Sequence, residues 1–296
     1  MGNHLGRMAL LATATAVALV ATALTMTTAS AKDCTYTFPT AGGTKATLER
    51  GEVACGSPGS DRIATMNGGT FYGQRGQDRV ATQHGGRFLG GRGKDLVIEQ
   101  HGGVFVGGRQ DDRIDTQFGG VFRGESGEDQ IYTQHGTFKG GPDHDQVEEL
   151  RGGRFYGGRD WDRVQRFYGG LFVGGDRKDS VIWMHGGVFK GGPGKDSVDG
   201  GVYGGTFYGG AGADFAFDVA DSGIFNGGPE RDSVTRILAG GKFNGARGND
   251  VAVYVEDGTF NGGRGYDRAF VGECSTTEVL TSVERVEVEP CWPESP

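Results

Sequence analysis

Residues 85–97 read GGRFLGGRGKDLV. The same pattern, GG-x-F-x-GG-x-G-x-D-x-V followed by four or five mostly polar residues, recurs from residue 51 to residue 270 with a period of about 17. Its phenylalanines lie at positions 71, 88, 105, 122, 138, 155, 172, 189, 207, 225, 243 and 260. A unit this short buries its apolar face only by stacking on its neighbours. The sequence therefore predicts an all-β fold, a parallel β-roll or β-helix solenoid of about 13 coils.

Two apolar positions recur in each repeat, the Phe and, nine residues later, a Val or Ile. The next Phe usually follows eight residues after that, which predicts two short strands per coil joined by turns on opposite edges. Equivalent residues of stacked parallel strands lie about 4.8 Å apart, so we expect one ladder of stacked Phe rings and one of Val and Ile side chains. The Val and Ile positions are 80, 97, 114, 131, 147, 164, 181, 198 and 234. Both ladders are interpreted as core.

The six residues between Phe and Val read G-G-x-G-x-D, most fully in residues 90–95, 191–196, 209–214 and 262–267. Glycines at these fixed offsets allow positive φ and turn backbone carbonyls to one side. The last position is Asp in all thirteen turns: Asp61, Asp78, Asp95, Asp112, Asp129, Asp145, Asp162, Asp179, Asp196, Asp214, Asp232, Asp250 and Asp267. Two carboxylates one strand spacing apart repel by about 1 kcal/mol in water and by more near a protein surface. The column therefore needs counter-ions, and Ca²⁺, which prefers carboxylate and carbonyl oxygens, is the natural one.

At these residues the chain resembles the haemolysin-type, or RTX, calcium-binding repeat. The resemblance covers residues 51–270 and implies a β-roll that holds calcium between adjacent turns through the Asp and the loop carbonyls. Only one half of each coil keeps the motif, so at most one column of calcium sites is implied. The sites expected first lie between neighbouring full loops, at Asp61, Asp78, Asp95, Asp196, Asp214, Asp250 and Asp267, with Gly90, Gly93, Gly191, Gly194, Gly209, Gly212, Gly262 and Gly265.

An alternative without metal stays open. Arginines lie inside the same loops, as at Arg75 and Arg92, or directly after the Asp, as at Arg79. Their guanidinium groups offer an Asp–Arg ladder that would neutralise the column. The fourth loop position is also not Gly in five turns, and we expect Asp179, whose loop contains Arg177, to matter less for calcium.

Paired carboxylates such as Glu148 and Glu149 raise a different alternative, a polysaccharide-acting β-helix enzyme. Such enzymes usually interrupt their repeat with long loops that build a cleft, and this repeat is not interrupted in that way. The chain is therefore not expected to be an enzyme. We expect a structural or adhesive protein, with calcium ions and an extracellular or cell-surface polysaccharide as its candidate partners.

The first 31 residues have the features of a secretory signal peptide. Arg7 precedes an apolar run over residues 8–26, and Ala29-Ser30-Ala31 forms a cleavage pattern. We therefore expect a secreted, extracellular protein with a signal peptide (1–31), an N-terminal cap (32–50), β-roll repeats (51–270) and a C-terminal capping segment (271–296). The formal net charge of −8 and the scattered basic residues argue against a nucleic-acid partner.

All four cysteines lie outside the regular repeats, two before them and two after. Thirteen turns separate the two pairs by on the order of 60 Å, whereas a disulfide needs Cα atoms within about 7 Å. The possible bonds within one chain are therefore Cys34–Cys55 and Cys274 with Cys291. Together they predict one disulfide at each end of the rod.

Overall fold

The computed structural model describes residues 33–272 and 279–289. In these residues the chain forms thirty β-strands and no helix. The strands alternate between two parallel sheets of fifteen strands each. We call them the Phe sheet, made of the odd-numbered strands, and the Val sheet, made of the even-numbered strands. The all-β parallel solenoid predicted from the repeat is confirmed.

The strand bounds follow the repeat along the chain. The Phe sheet contains β1 (Tyr36–Thr37), β3 (Val53–Cys55), β5 (Thr70–Arg75), β7 (Arg87–Arg92), β9 (Val104–Arg109), β11 (Val121–Ser126), β13 (Thr137–Gly141), β15 (Arg154–Gly158), β17 (Leu171–Gly175), β19 (Val188–Pro193), β21 (Thr206–Ala211), β23 (Ile224–Gly228), β25 (Lys242–Arg247), β27 (Thr259–Arg264) and β29 (Val279–Thr281). The Val sheet contains β2 (Thr44–Leu48), β4 (Arg62–Met66), β6 (Arg79–Gln83), β8 (Leu96–Gln100), β10 (Arg113–Gln117), β12 (Gln130–Gln134), β14 (Gln146–Leu150), β16 (Arg163–Phe167), β18 (Ser180–Met184), β20 (Ser197–Val202), β22 (Phe215–Val219), β24 (Ser233–Ile237), β26 (Val251–Val255), β28 (Arg268–Gly272) and β30 (Arg285–Glu289).

The solenoid has about fifteen turns, which are the thirteen repeat coils predicted from the sequence and one further turn at each end. The additional strands, β1, β2, β29 and β30, come from segments at either end that lack the Phe and Asp pattern. They nevertheless continue the register, with Tyr36 paired to Ala54 and Arg285 paired to Arg268. Parallel pairing depends on backbone hydrogen bonds, so these end strands join the stack without the side chains by which the repeat is recognised.

The core lies between the two sheets and is built from columns of equivalent residues. Each of the twelve repeat phenylalanines is fully buried, and successive rings from Phe71 to Phe260 stack with centroids 4.6–5.0 Å apart and planes within 9° of parallel. The Val and Ile column is also fully buried. Both predicted ladders are confirmed as core.

A third buried column, on the Val sheet, was not predicted. It lies three residues after the Val and Ile column, or four residues at the register shift in β20. Its members from β4 to β26 are Met66, Gln83, Gln100, Gln117, Gln134, Leu150, Phe167, Met184, Val202, Val219, Ile237 and Val255. In its glutamine part, Gln100 Nε2 donates to Gln83 Oε1 at 3.1 Å and Gln117 Nε2 donates to Gln100 Oε1 at 2.8 Å. Amide side chains therefore fill this column in four coils and apolar side chains fill it in the rest.

The N-terminal disulfide is confirmed. Cys34–Cys55 bridges two residues whose Cα atoms are 5.8 Å apart, and Cys55 lies at the end of β3. The expected bond of Cys274 with Cys291, and the signal peptide over residues 1–31, lie outside the described residues. Across residues 33–272 and 279–289, no helix has the length and apolar character needed to cross a membrane.

Candidate functional site: the aspartate column

Each loop from the Phe sheet to the Val sheet ends in one aspartate of the column, and we call this side of the rod the aspartate edge. In the loop of residues 90–95, the second and fourth residues have left-handed backbones, with φ of +105° at Gly91 and +137° at Gly93. Among the residues that replace the fourth glycine, Gln110 (φ +76°) and Arg177 (φ +73°) adopt the same region, whereas Asp143 and Asp160 do not. The left-handed conformation is therefore retained in some of the turns that depart from the full motif.

The first glycine of each loop is required for a different reason. None of these thirteen glycines has a positive φ. The expected role is confirmed for the second glycine and for the fourth glycine except Gly59 and Gly194, but not for the first. A Cβ added at Gly90 would overlap Oδ2 of Asp95 and would lie 2.7 Å from the carbonyl oxygen of Gly107 in the next coil. The aspartate side chain folds under its own loop, and only glycine leaves room for it.

The aspartates form a continuous hydrogen-bonded ladder. The backbone N–H of Asp78 donates to Oδ1 of Asp95 at 2.7 Å, and the N–H of Asp95 donates to Oδ1 of Asp112 at 2.7 Å. The same bond joins every pair of successive aspartates from Asp61 to Asp267, at distances between 2.7 and 2.9 Å. All thirteen residues are at most 1% exposed. One oxygen of each carboxyl is thus bound by backbone, deep in the edge of the rod.

Glu284, which lies outside the aspartate repeat, ends the ladder and was not predicted from the sequence. The N–H of Asp267 donates to Oε2 of Glu284 at 2.7 Å. The sequence signal is the stretch Glu284-Arg285-Val286, which matches the order Asp61-Arg62-Ile63 with the longer acid in place of aspartate. A carboxylate thus accepts the last N–H of the column.

The second carboxyl oxygen distinguishes the first loop from the others. At Asp61, Oδ2 accepts the N–H of Ser57 at 2.6 Å. In the other twelve aspartates Oδ2 is buried and has no hydrogen-bond partner: Asp78, Asp95, Asp112, Asp129, Asp145, Asp162, Asp179, Asp196, Asp214, Asp232, Asp250 and Asp267. A buried oxygen without a donor is costly, and here the cost recurs in twelve consecutive coils.

Burial raises the pKa of the column carboxyls far above the ordinary range of aspartate. Loss of hydration is the main cause, the backbone N–H bonds oppose it, and charges on neighbouring acids add to it at most positions. The pKa is about 6 at Asp214 and Asp250, about 7 at Asp95 and Asp196, about 8 at Asp78, Asp129, Asp162 and Asp232, about 9 at Asp145 and Asp179, and about 10 at Asp112. Without a cation, most of the column therefore binds protons near neutral pH.

The arginines of the loops do not pair with the column. Among the described residues, every ion pair of an arginine goes to an acid outside it, as in Arg113 with Asp115 and Arg236 with Asp218. The aspartates do form a ladder, as the alternative without metal expected. However, backbone N–H groups donate to their carboxyls, and guanidinium groups do not.

The donor chemistry of the column fits a hard cation. Oδ2 of Asp95 and the carbonyl oxygen of Gly107 both border the Cα of Gly90, so carboxylate and backbone oxygens meet at this edge. Within the described segments, no three His, Cys, Asp or Glu side chains gather as a metal cluster. An ion would therefore draw on the carboxyls of successive coils and on loop carbonyls.

The predicted site residues all lie along this edge, but the structure does not separate them from the remaining loops. Asp95, Asp196, Asp214 and the other residues of the full loops have the same carboxyl arrangement as Asp179. Only Asp61, whose Oδ2 is already bonded, is different. The ranking of sites by motif quality thus stays a prediction.

No protein-family model matches the sequence, and a search of characterised proteins also finds no match. Among solved structures, a hyperactive, Ca²⁺-dependent, β-helical antifreeze protein from an Antarctic bacterium is similar, with 16% identity and a TM-score of 0.46. The alignment covers 88% of this chain and 82% of that protein. At this low similarity the comparison carries no argument about the ligand or role of this chain, and the likeness to RTX repeats stays a resemblance.

Proposed function

We propose that this chain is a secreted calcium-binding repeat protein whose rod has a structural or adhesive role outside the cell. The observation that carries the proposal is the row of twelve buried Oδ2 atoms without a hydrogen-bond donor. An unpaired buried oxygen costs free energy, and calcium binds carboxylate and carbonyl oxygens in adaptable geometry. One column of calcium ions would give these oxygens a partner in every coil.

The column aspartates would hold the ion, together with carbonyl oxygens such as that of Gly107. Bound calcium supplies the positive charge that lets neighbouring carboxyls ionise together. The loops contribute fixed positions, because the first glycine admits the carboxyl and the N–H of the preceding coil orients its Oδ1. First in order are the sites between full loops, at Asp78 with Asp95, Asp196 with Asp214 and Asp250 with Asp267. Asp61, which the sequence groups with Asp78, is placed after them because Ser57 already donates to its Oδ2.

Calcium bound in this way would also stabilise the fold. A chain with 59 glycines loses much backbone entropy on folding, and the column is assembled only in the folded state. Metal that binds there shifts the equilibrium towards the rod. We expect dissociation constants on the order of 10⁻⁴ to 10⁻³ M, the range usual for extracellular modules.

Two observations support the remaining parts of the proposal. The Cys34–Cys55 bond is of the kind that persists in oxidising compartments, in keeping with secretion through residues 1–31. The carboxyls of the column are buried under their own loops, so they are not placed to reach a polymeric substrate, which favours a non-enzymatic role.

The test is a calcium titration followed by circular dichroism and thermal melting, in chelator and in millimolar calcium. Wild type should melt at a higher temperature with calcium. Asp95→Asn keeps the acceptor at Oδ1 and removes the charge, so it should weaken calcium binding and reduce this stabilisation. Asp61→Asn is the matched control, because its Oδ2 already has a donor, and should change the calcium response less. A wild-type melt that is unchanged by calcium would end the proposal.

A further inference from the structure

A run of three arginines covers the outside of the aspartate edge near its N-terminal end. Arg75 pairs in register with Arg92, and Arg92 pairs in register with Arg109, so the three lie on successive strands. All three side chains are exposed, and strands in a sheet are about 4.8 Å apart. The result is a short, straight row of positive charge parallel to the axis of the rod.

The fold itself does not require arginine at this position. The third loop residue is proline at Pro58 and Pro142, serine at Ser126 and aspartate at Asp176, and these loops make the same ladder. Three successive arginines therefore place like charges side by side at a position where a neutral residue serves equally well. Such an arrangement needs an explanation outside the packing of the rod.

The row has no acidic partner within the described part of the chain. No ion pair includes Arg75, Arg92 or Arg109, and the one neighbouring pair joins Lys94 to Asp111. The column aspartates lie beneath the same loops, but they are bonded to backbone N–H groups and do not reach the guanidinium groups. Calcium in the column would add positive charge below the row, so the row stays without a counter-charge whether or not calcium binds.

Arg75 and Arg92 line an open groove of about 390 Å³ together with Gly76, Gln77, Gly93, Lys94 and Gln110. Arg109 continues the row on the next strand, just outside this lining. Arginine and lysine side chains give the groove a positive charge, and Gln77 and Gln110 add side-chain amides. A guanidinium group binds a carboxylate or sulfate through two parallel N–H donors, and the glutamine amides can bond hydroxyl groups. The lining contains no aromatic ring on which a nucleic-acid base would stack.

We propose that this groove and the adjoining Arg109 bind an extended acidic polysaccharide, with Arg75, Arg92 and Arg109 each contacting an anionic group of successive sugar units. A linear polyanion matches a row of evenly spaced cations in an open groove, and its hydroxyl groups match the flanking amides. The groove shares Gly93 with a loop expected to hold calcium, but its proposed contacts come from exposed arginine side chains and not from the buried carboxyls. The proposal therefore goes beyond the proposed function, and binding measured without calcium tests it independently.

The test measures binding of polygalacturonate and dextran sulfate in a chelator-containing buffer, by affinity electrophoresis and calorimetry, with neutral dextran as the comparison polymer. Working without calcium keeps the result independent of the calcium column. We expect both acidic polymers to bind, with an affinity that falls as salt is raised. Arg92→Gln, in the middle of the row, should weaken binding about tenfold and reduce the salt dependence.

Arg87→Gln is the matched control. It removes the same charge from an exposed arginine of the same strand, β7, but outside the groove. It should bind as wild type, and both variants should melt as wild type. The proposal is overturned if Arg92→Gln binds the acidic polymers normally, if neutral dextran binds equally well, or if single-stranded DNA binds more tightly through the same arginine.

Discussion

The aspartate column and the glutamine column are both polar and buried, yet they satisfy their polar atoms differently. From Gln83 to Gln117 the amides donate to one another, and Gln134 donates to strand carbonyls. Of this column's side-chain oxygens, only Oε1 of Gln117 and of Gln134 lack a partner. The glutamines are neutral and give way to Leu150 and later apolar residues.

The aspartates persist through all thirteen repeats, and twelve of them retain an unpartnered oxygen. A neutral polar column is thus interchangeable with apolar packing, whereas the carboxyl column keeps its acid in every coil despite the cost of burial. This difference supports the proposal that the carboxyls bind a metal ion, with protons taking its place when no metal is present. The two columns can therefore be separated by experiment.

The largest expected effect comes from pH, because it acts on the whole aspartate column and on no glutamine. The folded pKa values, from about 6 at Asp250 to about 10 at Asp112, lie above the value of about 3.9 in an unfolded chain. The folded rod therefore binds more protons than the unfolded chain, and its stability falls as pH rises through this range. In chelator, we expect the melting temperature to drop steadily from pH 5 to pH 9.

Calcium should reverse this trend, since it binds the ionised carboxyls and so replaces the lost protons. The stabilisation by millimolar calcium should therefore grow from pH 5 to pH 9. Thermal melts followed by near-UV circular dichroism at pH 5 and at pH 9, each in chelator and in millimolar calcium, check the prediction. A melting temperature in chelator that is constant or rises with pH would show that the buried carboxyls do not behave as described.

The next effect compares two glycines of one coil on opposite edges. A Cβ added at Gly157 would overlap Oδ2 of Asp162 and lie 2.7 Å from the carbonyl oxygen of Gly174, whereas at Gly152 it would meet only the ring of His135, at 3.9 Å. Neither glycine has a positive φ. We expect Gly157→Ala to lower the free energy of unfolding by about 3 kcal/mol through overpacking, and Gly152→Ala to change it by about 0.5 kcal/mol or less.

Urea unfolding of the two variants and of wild type measures this difference. Equal losses in both variants would mean that the first loop glycine has no special contact with the aspartate. The same Gly157→Ala change can also be made in an Asp162→Ala protein. If it then causes no further loss of stability relative to Asp162→Ala alone, the carboxyl itself causes the steric conflict.

The repeat sufficed to predict the solenoid. The Phe and Val positions, as at Phe88 and Val97, have the same spacing in every turn, so equivalent residues lie above one another when the coils stack. The aspartate column followed from the same reasoning. The glutamine column did not, because strict alternation from Val80 would direct Thr82 inward and Gln83 outward. From Val80 to Gln83 the order is instead buried, intermediate, intermediate, buried, so Val80 and Gln83 both face the core.

The details of the site depend on contacts that spacing alone does not reveal. The sequence shows a glycine at Gly90 but not that the carboxyl of Asp95 lies against it. It also shows Ser57 in the first loop without indicating that its N–H completes the carboxyl of Asp61. Both contacts arise from the direction in which the aspartate side chain folds, which is fixed only when the coils are stacked.

The smallest expected effect is in the glutamine column. Gln134 lies next to Leu150, its Oε1 has no partner, and no other glutamine donates to it. Gln134→Leu removes a costly unpaired oxygen and gives up the bonds from Nε2 to the carbonyls of Arg154 and Gly136. These changes oppose each other, so the free energy of unfolding should change by about 1 kcal/mol or less. Asp129→Leu, just before the same strand, deprives the N–H of Asp112 of its acceptor and should cost clearly more in calcium. If the two variants were equally stable in urea unfolding, the columns would not differ in the way that their hydrogen bonds indicate.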